Sequence, residues 1–69
     1  MLRARMNRDD LREVSYDTKR SKMTLSFKNG KVLHFDHAKE SDFNGIIAAK
    51  RPRREYEDGF LPRYRKRMS

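Results

Sequence analysis

The sequence predicts a small α+β domain: an antiparallel three-stranded β-meander with one packed α-helix and a basic, partly ordered C-terminal segment. Three observations lead there. Apolar and polar residues alternate in "REVSYD" and "KMTLSF", the period-two mark of strands with one buried face. Asn29-Gly30 supplies a turn before "KVLHFD". From Phe43 onward the apolar spacing turns helical. With 69 residues, 35% hydrophobic and 41% charged, the chain has material for one thin core only.

Residues 1–10, "MLRARMNRDD", read as a flexible leader without a clean period. The first strand follows, with Val14 and Tyr16 on one side and Glu13 and Ser15 on the other. After the polar connection "DTKRSK", Met23, Leu25 and Phe27 alternate with Thr24 and Ser26. The hairpin that follows has two registers open to it. A two-residue Asn-Gly turn pairs Phe27 with Val32 and leaves Leu33 and Phe35 on the opposite face. A three-residue loop, Lys28-Asn29-Gly30 with Gly30 left-handed, sets Leu25 against Leu33 and Met23 against Phe35. Only the second gathers Val14, Tyr16, Met23, Leu25, Phe27, Leu33 and Phe35 on one face. Each large apolar side chain gains roughly 1.5–3 kcal/mol on burial, more than turn types differ by, so the bulged loop is expected.

The helix is expected over "KESDFNGIIAAK", with Phe43, Ile46 and Ile47 inward and Ser41 as its cap, or with a start nearer Ala38. Pro52 closes it. The folded domain then spans residues 11–62, with a short turn or helix packing Tyr56, Phe60 or Leu61 at the core edge, and residues 63–69 are expected as a basic tail in solvent.

The net charge of +8 gathers at the C-terminus. Lys50, Arg51, Arg53, Arg54, Arg63, Arg65, Lys66 and Arg67 stand there against Glu55, Glu57 and Asp58. Arginine predominates, in two blocks around an aromatic segment, and arginine forks phosphates and stacks on bases. Charge runs are most often solubilising, but this arrangement predicts a positive patch for nucleic acid, RNA ahead of DNA, or for an acidic protein surface. The polar sheet face, with Lys22, Lys28 and His34, is the candidate for a second contact surface.

The strings "YD…KMTLSFKNGKVLHFDHA…F..II.A" and "YEDGFLPRY" resemble the KTSC domain over roughly residues 11–65. That module occurs at the C-terminus of some lysyl-tRNA synthetases and as a free-standing bacterial protein. Where the family has tyrosine-x-tyrosine, this chain has Leu33-His34-Phe35, which keeps the apolar side chains and loses both hydroxyls. The resemblance implies the small fold and no catalytic activity.

No catalytic constellation is expected. His34 and His37 point to opposite sides of an extended strand, and no cysteine or further histidine completes a metal site. The serines lack a nucleophile-elbow context, and no Gly-rich phosphate loop is present. Neither cofactor nor metal is expected. No apolar run suits a signal peptide or membrane span, which predicts a cytoplasmic protein. Two functions follow: a non-catalytic nucleic-acid-binding accessory module, or a small factor that docks on and modulates a larger machine such as RNA polymerase or a ribosome-associated enzyme.

Overall fold

The hairpin at Asn29-Gly30 takes the three-residue bulged loop. In the computed structural model, which describes residues 1–68, Leu25 pairs with Leu33 and Met23 with Phe35. Gly30 is left-handed, at φ 92°, and its N–H donates to the Phe27 carbonyl at 3.0 Å. Lys31 N–H donates to Asn29 Oδ1 at 2.9 Å, so the asparagine side chain fixes the turn from inside.

The sheet has four strands, not three: β1 (Leu2–Arg8), β2 (Leu11–Asp17), β3 (Lys22–Phe27) and β4 (Val32–Phe35). They lie in chain order, every pair antiparallel. The expected leader is thus an edge strand. Leu2 stands opposite Tyr16 and Ala4 opposite Val14, which puts Leu2, Ala4 and Met6 on the apolar face and Arg3 and Arg5 on the other. The β1–β2 connection bends through Asn7 and Asp9, both left-handed, a conformation that Asn and Asp tolerate.

Helix α1 (Glu40–Ala48) lies on the apolar face, burying Phe43 and Ile46. Its cap is neither Ser41 nor Ala38. Lys39 stands at the cap position, and Asp42 reaches back to accept the Lys39 N–H at 2.9 Å. After Ala48 the chain turns, and Pro52 opens the next helical segment, since its missing N–H is not needed in a first turn.

That segment runs without a break through α2 (Pro52–Arg54), a π-helical stretch (Glu55–Phe60) and α3 (Leu61–Met68). Leu61 N–H reaches five residues back to the Tyr56 carbonyl. This wider turn lets the helix accept Pro62, whose ring would otherwise press on the carbonyl four residues earlier. Tyr56, Phe60 and Tyr64, each four residues apart, share one helix face. Phe35 meets Tyr56, Phe60 and Tyr64 with ring centroids at 5.8, 5.1 and 5.3 Å, and Phe27 meets Tyr56 at 6.0 Å. Phe60 is fully buried. The Tyr64 hydroxyl donates to the Asp36 carbonyl at 2.8 Å.

Two expectations therefore change. The single helix becomes α1 plus a second helical segment as important to the core. Residues 63–68 of the expected tail are helix, docked on the sheet; Ser69 lies outside the described residues. All helices cover one sheet face. The opposite face carries the cross-strand rows Arg3, Ser15, Thr24, His34 and Arg5, Glu13, Ser26, Val32.

Candidate nucleic-acid interface

The eight C-terminal cations do not form one patch. Lys50 and Arg51 lie exposed in the link between α1 and α2, with no carboxylate partner among the described residues. Arg53 is held by Asp10 of the β1–β2 turn and, at 2.7 Å, by Glu57 one helical turn on. Its guanidinium also stands 5.9 Å from the Phe27 ring centroid. Glu57 and then Asp10 hold its proton more tightly than an isolated arginine would. Arg54 pairs with Asp58 at 3.3 Å, again one turn away.

The block at 63–67 is split by the helix it forms. Residues four apart share a face, so Arg63 and Arg67 both turn toward α1. There they meet Asp42, only 4% exposed, at 3.9 and 3.2 Å. Arg67 also donates to the His37 carbonyl at 3.1 Å. These two arginines tie the end of the chain to the start of α1. Arg65 points the other way, into a groove beside the β3–β4 turn. Lys66 is exposed on α3.

The second contact surface is redistributed as well. His34 lies on the open sheet face, its Nδ1 3.0 Å from Thr24 Oγ1. Lys22, on the same face, stands opposite Asp17. Lys28 belongs with Arg65 at the groove. The open face gains Arg3 and Arg5 from β1, within the residues expected as a leader. The alternation Leu2, Ala4, Met6 was the signal for them, weakened because alanine buries little. Arg3 pairs with Glu13 at 3.2 Å, so Arg5 is the more available of the two.

His37 sits in the turn after β4 with a left-handed backbone, φ 59°. Among the described residues, no three His, Asp or Glu side chains gather as metal ligands. No helix of the described residues is long and apolar enough to cross a membrane. Comparison with protein-family models, curated proteins and solved structures finds no match for the chain.

Proposed function

We propose that this is a non-catalytic nucleic-acid-binding accessory module, RNA ahead of DNA. Phosphates would be held by cations on and beside the C-terminal helical segment. What carries the reading is the docking of that segment: aromatic packing from Tyr56 to Tyr64 fixes the backbone beneath its cations, which a loose tail would not do. Fixed cations lose less conformational freedom on meeting a phosphate chain. Lys50, Arg51 and Arg65, with no carboxylate of their own, are the strongest phosphate contacts. Arg53, Arg54, Arg63 and Arg67 serve the fold first, and their prior pairing weakens them as ligands.

The same pairing favours a second reading, docking on an acidic protein surface, because it leaves a milder positive field than the sequence suggests. An anisotropy titration of a labelled RNA at several salt concentrations tests the first reading. Replacing Lys50 and Arg51 together by alanine should make the log–log salt slope shallower by about 1–2 units, with thermal stability unchanged. Absence of RNA or DNA binding at low salt would refute the nucleic-acid reading.

A further inference from the structure

An open groove of about 830 Å³ separates the β3–β4 turn from the helical segment, within the size range of small-ligand sites. Leu33 and Leu61, both half-buried, form its apolar floor, with the buried Tyr56 beneath them. Its charges are unevenly settled. The carboxylates on its wall are already taken: Asp10 and Glu57 by Arg53, and Asp58 by Arg54. Lys28, Lys31 and Arg65 have no carboxylate partner among the described residues. Arg53 offsets only one of its two carboxylates, so the lining cations Lys28, Lys31, Arg53 and Arg65 outnumber Asp10, Glu57 and Asp58 by one, above a small apolar floor. Asn29 stands between the two lysines. Its Oδ1 is occupied by Lys31 N–H, which leaves its amino group to donate outward.

Resting on the nucleic-acid reading above, we infer that this groove takes an unpaired nucleotide of single-stranded RNA. The base lies on Leu33 and Leu61, and the flanking phosphates meet Lys28, Lys31 and Arg65. Apolar floor and cationic rim match the two surfaces of a strand, the base face and the backbone. A duplex hides its base faces in the stack and offers only phosphates. It can use the rim but not the floor. The Asn29 amino group suits a base carbonyl, giving a mild preference for bases that present one.

The test compares a labelled single-stranded oligouridine with an RNA hairpin of equal length, by anisotropy at low salt. Wild type should bind the single strand roughly tenfold more tightly than the duplex. Changing Lys28, Lys31 and Arg65 together to alanine should weaken both probes, with an unchanged circular-dichroism melt showing that the fold is intact. Leu61→Gln, which keeps the rim, should weaken the single strand alone. Replacing Lys50 and Arg51 should weaken both probes alike. Equal affinity of wild type for both probes would overturn the inference. Full single-strand affinity in the groove variant would do the same, while leaving the nucleic-acid reading standing. If neither probe binds at all, both readings fall. A polyglutamate that binds wild type but not the groove variant would make the groove a protein-docking site, against the inference.

Discussion

Replacing Tyr64 by alanine tests whether the basic C-terminal segment is part of the fold. Three contributions are lost together. The ring is half-buried, so its burial is worth about half the usual 1.5–3 kcal/mol. It meets Phe35 at 5.3 Å and Phe60 at 5.2 Å, and such aromatic pairs add about 0.5–1.5 kcal/mol each. Its hydroxyl donates to the Asp36 carbonyl, a bond of about 1 kcal/mol. These overlap, because burial and ring contacts count some of the same atoms. A loss of about 2–3 kcal/mol is expected. For a domain of this size that lowers Tm by about 10–20 °C. The assay is chemical and thermal denaturation, with Tyr64→Phe beside it to isolate the hydroxyl, at about 0.5–1.5 kcal/mol. A Tyr64→Ala protein within about 0.5 kcal/mol of wild type would show that α3 is not docked, and would undo the argument that its cations are fixed.

Two further outcomes are expected. Alanine at Asp42, at Arg67 and at both should show a coupling of about 1–2 kcal/mol by denaturation; Arg67, 26% exposed, is partly screened, so the larger values of fully buried pairs do not apply. Additive single and double variants would mean that Arg67 and the carboxylate do not pair. The Tyr56 phenol is shifted upward by burial first and by neighbouring Glu57 second. The folded chain thus keeps a proton that the unfolded chain releases above about pH 10. Its share of stability is complete below that pH and lost as pH rises through the folded value. Tyr56→Phe should flatten that alkaline decline relative to wild type, and parallel declines in the two proteins would refute the assignment.

The middle of the chain was the legible part. In β2 to β4, alternation, a single strong turn and the need to bury large side chains all pointed to one register, and that register is the one formed. At the ends these signals conflict. β1 alternates, but with an alanine at its centre and three arginines among its residues its apolar side looks too weak to hold a strand. The neighbouring β2 supplies what it lacks. In the C-terminal segment the four-residue spacing of Tyr56, Phe60 and Tyr64 is a helical signal, and Gly59 and Pro62, two residues poor for a regular helix, stand against it. A π turn admits both, and nothing in local propensity announces it. The site was less legible than the fold. Charge counts could locate cations, but not which carboxylates they would meet. Arg67 reaching Asp42 across 25 residues depends on the helix being there at all.

The strand order has a consequence for the time course of folding. Each strand pairs with the one made just before it, so the sheet can zip from the N-terminus through short loops, a topology that folds fast. Its closing layer arrives last. Until residues 56–64 dock, Phe27 lacks the Tyr56 ring and Phe35 lacks the three rings that cover it, and the apolar sheet face stays open. The helical turns that finish the core are the same ones that carry its charge, so covering the sheet and placing the cations are one event.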